Sequence, residues 1–316
     1  MRNIVVCKEG NGDFTSIQDA IDSVRVLTLE PVSIYIKAGK YEEIVVIPDN
    51  KPDIHLIGED VEKTIISHHL YAEMVDSKQK KLGTFRTPVV SIHADNIQLE
   101  NITIENTAGY GKEIGQALAL YVSGDRGVYQ HVRLLGNQDT LYSSRGRQYF
   151  SNCYIEGHVD FIFGSGTVVF QHCEIHSLRD GYITASSAPK ESTFGFIFFD
   201  CKLTGTANDN SVYLGRPWRP FAQTTFIRTW MGSHIKREGW DNWSDKENEK
   251  TSRYYEGESY GPGSVDEHRV NWATNLSDSD IEVITIEKIF ESSDNWVPKE
   301  MRKCLDQPRQ ALDDQE

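Results

Sequence analysis

A four-residue signature recurs five times along the middle of the chain, and it constrains the fold more than any other feature. It is a polar residue, a small apolar residue, a free position and an aliphatic residue. The copies are Asn101-Ile102-Thr103-Ile104, His131-Val132-Arg133-Leu134, Asn152-Cys153-Tyr154-Ile155, His172-Cys173-Glu174-Ile175 and Asp200-Cys201-Lys202-Leu203. Their first residues stand 30, 21, 20 and 28 positions apart. Such intervals suit coils of about 20 residues with variable loops, and are too short and irregular for helical repeats. The surrounding segments are rich in Val, Ile, Phe and Tyr and alternate in polarity, as in Ile97-Gln98-Leu99-Glu100-Asn101-Ile102-Thr103-Ile104. That is the period of a half-buried strand. Each coil then contributes short parallel strands around an apolar interior, and the expected fold is all-β: a right-handed parallel β-helix, or solenoid.

The ends of the chain read as caps. Thr15-Ser16-Ile17-Gln18 forms a capping box, and Ile17, Ala20, Ile21 and Val24 follow at helical spacing. This N-terminal helix is expected to close one end of the solenoid, whose open strand edges otherwise invite aggregation. After Trp230 the repeat fades, and Lys236 to Glu258 reads as long loops. Ser277 to Phe290 and Met301 to Leu312 read as short helices packed along the coil, with Asp313 to Glu316 as an acidic tail. No composition break divides the chain, so 1–316 is read as one domain with 299–316 as a C-terminal extension.

Charge narrows the partners. Acidic residues outnumber basic ones 47 to 33, a formal net charge of −14, which speaks against nucleic acid because phosphate binding needs clustered Lys and Arg. The same balance predicts repulsion from strongly anionic polymers and less repulsion from a neutralised one. No apolar run approaches the roughly 20 residues of a membrane span. Met1 sits directly against Ile4-Val5-Val6 with no secretory leader, so the expected compartment is the cytoplasm, or the outside of the cell for a mature form whose leader was removed. Of five cysteines, none forms a Cys-x-x-Cys pair, and no metal or organic cofactor is expected. Cys153, Cys173 and Cys201 share one repeat position and should stack as an internal ladder of small buried side chains. A Cys153–Cys173 disulfide is the geometrically allowed alternative.

Two aspartates carry the chemistry. Asp139 and Asp160 each lie eight residues after an anchor, at His131 and Asn152, so on consecutive coils they should stack roughly 5 Å apart, the spacing of neighbouring strands. Two carboxylates that close cannot both ionise easily, and one is pushed toward its protonated form. Gln138 precedes Asp139, and Gln116 lies one coil earlier; their amides can donate to a developing oxyanion or simply satisfy a stacked polar ladder. Arg216, between Gly215 and Pro217, can hold one carboxylate ionised with a planar fork, or form an ordinary surface pair. Tyr142, Phe163, Trp218 and Trp240 fall near the candidate site and suit the apolar faces of sugar rings, although core packing is the commoner fate of an aromatic side chain.

Gly39-Lys40-Tyr41-Glu42-Glu43, Gln116-Ala117-Leu118-Ala119-Leu120, Gln138-Asp139-Thr140-Leu141-Tyr142, Asp160-Phe161-Ile162-Phe163-Gly164 and Leu214-Gly215-Arg216-Pro217-Trp218 occur in that order. With these blocks, from roughly Ile4 to Trp272, the chain resembles the pectin methylesterases (pectinesterases) of the carbohydrate-esterase type. The resemblance implies Asp160 as nucleophile, Asp139 as general acid and base, Gln116 and Gln138 as oxyanion donors, and Arg216 as the residue that holds Asp160. It also implies substrate contacts from Thr84, Tyr142, Phe163, Trp218 and Trp240. The implied partner is methyl-esterified homogalacturonan or its oligogalacturonides, acted on by a monomer, and Cys153 and Cys173 resemble a pair that some relatives bridge. Three other readings stay distinguishable by product: a calcium-dependent pectate lyase would give an unsaturated end and be chelator-sensitive. An esterase for another ester or thioester would release a different alcohol or thiol, and a carbohydrate-binding solenoid would release nothing.

Overall fold

The structure, a computed structural model, describes residues 2–265 and 268–298. The helix expected over Met301 to Leu312, the acidic tail and Cys304 lie outside the described residues. Among those described, one face of the molecule is a sheet of 11 strands running from Arg2–Val6 to Thr274–Asn275, every neighbouring pair of them parallel. A second sheet of 13 strands wraps two further faces, because two of its strands are long enough to turn the corner. Tyr154–Gly164 pairs with Glu174–Ser186 first at Tyr154↔Glu174 and again at Ile162↔Thr184, with register breaks between Gly157 and Ile162. The result is the expected parallel β-helix. No described helix is long and apolar enough to cross a membrane.

The recurring signature is the chemistry of one corner. Asn101, His131, Asn152, His172 and Asp200 all have positive φ, between 49° and 56°, and each follows a strand of the first face. Asn, Asp and His tolerate that left-handed backbone better than other side chains do, which is why the first position of every copy is polar. The next residue turns inward: Ile102, Val132, Cys153, Cys173 and Cys201 are all buried. The three cysteines form the expected ladder as free thiols, each donating to the carbonyl of an earlier coil: Cys153 to Tyr129, Cys173 to Phe150 and Cys201 to Phe170. The Cys153–Cys173 bridge suggested by the resemblance is therefore absent.

Arg228 and Glu258 repeat the left-handed corner, and Arg253–Gly257 is a further strand of the first face. The coil therefore continues beyond the point where the sequence pattern fades, through a stretch read as loops. The pattern is hidden because these corners begin with Arg228 and Glu258 and continue with Thr229 and Ser259 instead of an apolar residue. Tyr129, Phe150, Phe170, Phe198 and Phe226 stack at centroid distances of 4.2, 5.1, 4.5 and 4.4 Å, and Trp240 on Tyr254 extends the column at 4.1 Å. In the register of Phe226 the next strand carries Glu256, whose buried carboxylate is matched by Arg269 and by the Trp240 indole N–H.

The N-terminal helix spans Ile17–Ser23 and buries Ile17, Ala20 and Ile21 against the first coils. Its cap differs from the expected box. Ser16 is the capping residue, and the carboxylate that returns to the first turn is that of distant Glu43, accepting from Ile17 N, Gln18 N and Ser16 Oγ. Gln18 instead clamps the Val46 backbone in both directions. The segment from Ser277 to Phe290 forms two short helices, Asp278–Glu282 and Ile286–Ile289. Their Ile281, Ile286, Ile289 and Phe290 cover the outer side chains Val128, Tyr149, Val169, Ile197 and Ile227 of the first face.

Candidate active site

Asp139 and Asp160 sit on the corner opposite the anchors. Leu141 pairs with Ile162, so the two aspartates, each two residues earlier, occupy equivalent places on consecutive coils. The Asp139 N–H donates to Val159 O at 3.1 Å, which carries the pairing into the corner itself. Both have left-handed backbones, φ 66° and 51°. Such conformations are uncommon for side chains other than Asn, Asp and Gly and concentrate where function requires them. Gly157 permits the close turn: a Cβ there would run into Phe161 and the Asn137 carbonyl.

The carboxylates are nearly buried, Asp139 at 7% exposure and Asp160 at 6%, yet their environments differ. Arg216 forks onto Asp160, with Nε to Oδ1 at 2.9 Å and Nη2 to Oδ2 at 2.6 Å. Burial raises the Asp160 carboxyl above its ordinary value; the Arg216 bonds and charge oppose that rise, and Asp241 adds to it. Asp139 has no such fork. Burial first, then the neighbouring Asp160 charge, hold it well above the ordinary carboxyl range, against a weaker pull from Arg216. Of the pair, Asp139 is the one that keeps its proton and Asp160 the one that ionises, since only Asp160 is bonded to a cation.

Arg216 is itself held rigidly. Its guanidinium carbon lies 3.8 Å from the centre of the Tyr182 ring and 3.7 Å from that of Trp243, so the planar group is sandwiched face-on and only its edge can bond. Trp243 is placed by Asp241, which accepts from the Trp243 N–H at 2.7 Å while its own N–H bonds Gly215 O at 3.1 Å. Gly215 must lack a side chain, because a Cβ would collide with Thr184 and press on the Trp240 ring.

A cleft of about 240 Å³ opens over these groups, lined by Thr84, Phe85, Gln116, Gln138, Phe163, Ala185, Trp218 and Trp243 together with the two aspartates and Arg216. Among the described residues no protein partner engages the side-chain amide of Gln116 or Gln138, so both can donate into the cleft. Tyr142 stands just beyond it in an aromatic wall, 4.6 Å from Phe163 and 5.0 Å from Phe85, with Trp218 edge-on to Phe163 at 5.6 Å. Of the residues singled out from sequence, Trp240 is the one placed elsewhere. It is 1% exposed, stacked inside the coil on Tyr254, and Trp243 takes the cleft position. Phe85, Tyr182 and Trp243 were not identified from sequence. Phe85 adjoins Thr84, and Gly239-Trp240-Asp241-Asn242-Trp243 offers two indoles; only the Asx turn at Asp241 decides which faces out.

The buried acid has a measurable cost to the fold. The folded Asp139 carboxyl titrates above its unfolded value, so its stability contribution is full below the ordinary 3.8 and is lost as pH rises through the folded value. Asp139→Asn removes that loss. Its Tm at neutral pH should exceed wild type by roughly 2–4 °C, and the difference should vanish in acid melts below that ordinary value. A mutant less stable at neutral pH would show that Asp139 is ionised in the folded protein.

The geometry is that of an acid and nucleophile pair beside two amide donors, with aromatic walls suited to a sugar chain. The pectinesterase family profile matches residues 3–293. Pectinesterase 31 of Arabidopsis thaliana is 40% identical over 285 residues, covering 88% of this chain and 89% of the relative. Among solved structures, pectin methylesterase from carrot aligns with a TM-score of 0.84 at 28% identity, over 92% of this chain and 93% of that chain. A pectin methylesterase in complex with a hexasaccharide aligns at 0.83 with 31% identity, over 94% and 99% respectively.

Proposed function

The chain belongs to the pectinesterase family, and on that premise we infer how its cleft hydrolyses the methyl esters of galacturonate residues in pectin to methanol and pectate. The observation that carries the residue assignment is the asymmetry of the pair: Arg216 forks onto Asp160, while Asp139, one coil away, has no cation bonded to it. Asp160 is the nucleophile. Its carboxylate oxygen adds to the ester carbonyl, and the amides of Gln116 and Gln138 hold the oxyanion that forms. The tetrahedral centre collapses as Asp139 passes its proton to the departing methoxy oxygen, so methanol leaves and an acyl anhydride to Asp160 remains. Asp139, now ionised, takes a proton from water whose oxygen attacks the acyl carbon. The Asp160 carboxylate is expelled, the polymer leaves as a carboxylic acid that then loses its proton to solvent, and Asp139 is again protonated. The net change is one water consumed and one ester split, acid from alcohol.

Burial of both carboxyls supports this division, because little solvent remains to screen the Arg216 charge or to hydrate Asp139. Phe85, Tyr142, Phe163, Trp218 and Trp243 offer aromatic side chains to the sugar chain, and Thr84 lies beside them with a hydroxyl. We assign the enzyme to act as a monomer on methyl-esterified homogalacturonan or oligogalacturonides.

Methanol release from highly methylated polygalacturonate tests the reading, with and without a chelator. Wild type should release methanol equally in both, with no unsaturated product. Gln138→Ala should lower kcat by about 10²–10³-fold, the loss of one oxyanion donor, with a much smaller change in KM. An unchanged kcat would remove Gln138 from the oxyanion site.

A further inference from the structure

Asn106 ends the strand Thr103–Asn106 and is 4% exposed, a buried amide that the assigned mechanism does not use. Burying an amide is costly unless its donors and its acceptor are engaged, and here they are. Nδ2 donates to Leu70 O and to Leu118 O, both at 2.9 Å, and reaches Thr87 O at 3.4 Å. Oδ1 accepts from Ala108 N at 3.0 Å. With carbonyls around its nitrogen and an N–H before its oxygen, the side chain has one orientation that satisfies it. The three carbonyls come from segments far apart in sequence. Leu70 follows the strand Thr64–His68, Thr87 ends the short helix Thr84–Arg86, and Leu118 belongs to the next coil.

Each of the three leads to the catalytic corner. Leu118 holds, one coil earlier, the place that Asp139 and Asp160 hold, because Leu120 pairs with Leu141 and Leu141 with Ile162. It stands two residues after Gln116, and its buried side chain packs with Phe163 and Ala185 in the cluster that Tyr142, Trp218 and Trp243 adjoin. The Leu118 N–H donates to Thr87 Oγ1 at 3.1 Å, and that hydroxyl donates in turn to Thr84 O at 2.8 Å. Leu70 leads there by another route. Ala72 N donates to Gln116 O at 2.8 Å, and Gly83 N, beside Thr84, donates to Ala72 O at 2.9 Å. Asn106 therefore grips Gln116 from both sides, through Leu118 after it and through segment 70–72, which bonds its carbonyl. The same bonds set Thr84 against it.

We propose that Asn106, assisted by the Thr87 hydroxyl, is a positioning residue for the oxyanion site: it fixes the main chain from which the Gln116 amide reaches into the cleft. It touches no reacting atom. The Gln116 amide has no protein partner of its own among the described residues, so its aim depends on the backbone that carries it. An oxyanion donor acts only when it is set in advance at the place where charge develops, and a misplacement of about 1 Å can cost 10²-fold. Asn106 supplies that rigidity from behind the cleft wall. This rests on the esterase reading above and adds to it a residue that the cleft does not expose.

The test is a double-mutant cycle, read as methanol release from highly methylated polygalacturonate. Asn106→Ala should lower kcat by about 10–10²-fold, with a much smaller change in KM. In a Gln116→Ala background the same substitution should change kcat by no more than about twofold, because the donor it positions is gone. Thr87→Val should lower kcat with the same dependence on Gln116, and Thr87→Ser, which keeps the hydroxyl, should stay near wild type. The Thr87 variants decide the matter if Asn106→Ala does not fold. Losses that multiply in the double mutants, or an unchanged kcat in folded Asn106→Ala or in Thr87→Val, overturn the positioning role. An unchanged kcat in Gln116→Ala overturns it too, by removing the donor to be positioned. No methanol from wild type would instead strike the esterase reading itself.

Discussion

Asp160→Asn is expected to fold, to bind pectin, and to release methanol at least about 10⁴-fold more slowly than wild type, the scale on which loss of a catalytic nucleophile is felt. The amide keeps an oxygen for the Arg216 fork but offers no carboxylate electron pair to the ester carbon, so no acyl-enzyme forms. Asp139 cannot substitute: burial and its unpaired position hold it protonated, and a neutral carboxyl is a poor nucleophile. The loss should therefore appear in kcat, with substrate binding to the folded mutant measurable by calorimetry. Near-wild-type turnover by a folded Asp160→Asn protein would transfer the nucleophile's role to Asp139 and reverse the roles of the pair.

Arg216→Ala should be nearly as severe and should carry a signature that a merely structural arginine would not produce. The Asp160 carboxyl is already raised by burial and by Asp241, and Arg216 is what opposes the rise. Without Arg216 only the upward influences remain, a smaller fraction of Asp160 is ionised at any given pH, and the acid limb of the kcat/KM profile moves to higher pH. Turnover at neutral pH should fall by about 10²–10³-fold, the equivalent of losing roughly 3–4 kcal/mol of charge stabilisation. Breaking the pair also leaves Tyr182 and Trp243 facing an empty slot, so Tm should drop as well. A profile that falls in height with its acid limb unmoved would mean that Arg216 supports the fold without setting the charge of Asp160.

Much of this is legible in the sequence. The anchors were visible because a left-handed corner accepts few side chains, so every copy begins with Asn, His or Asp and continues with a small apolar residue. The aspartates were visible through the same count from the anchors. What stayed hidden depended on contacts distant in sequence. Glu43 lies 27 residues from the serine it helps to cap, so the nearby Gln18 looked like the natural partner. The coil containing Arg253–Gly257 was masked because its corner, Glu258-Ser259, carries neither the Asn, His or Asp nor the apolar residue of the other copies. The choice between Trp240 and Trp243 turned on a single hydrogen bond, from Trp243 N to Asp241. A stacked pair of cysteines at bridging distance looks the same in sequence whether oxidised or free, and only the described thiols separate the two.

The two carboxylates owe their separation to main-chain bonding between neighbouring coils, not to how side chains fill a pocket. A core substitution elsewhere can lower the melting point without altering that distance, because the backbone ladder acts as a ruler of fixed graduation. Loops that leave the coil between anchors can lengthen freely for the same reason. The two-residue step from Asp139 to Leu141, and from Asp160 to Ile162, the strand partner of Leu141, is the quantity that cannot drift. Adding one residue inside either of those two short steps would shift one mark of the ruler and leave the other, separating acid from nucleophile while the strands stayed paired.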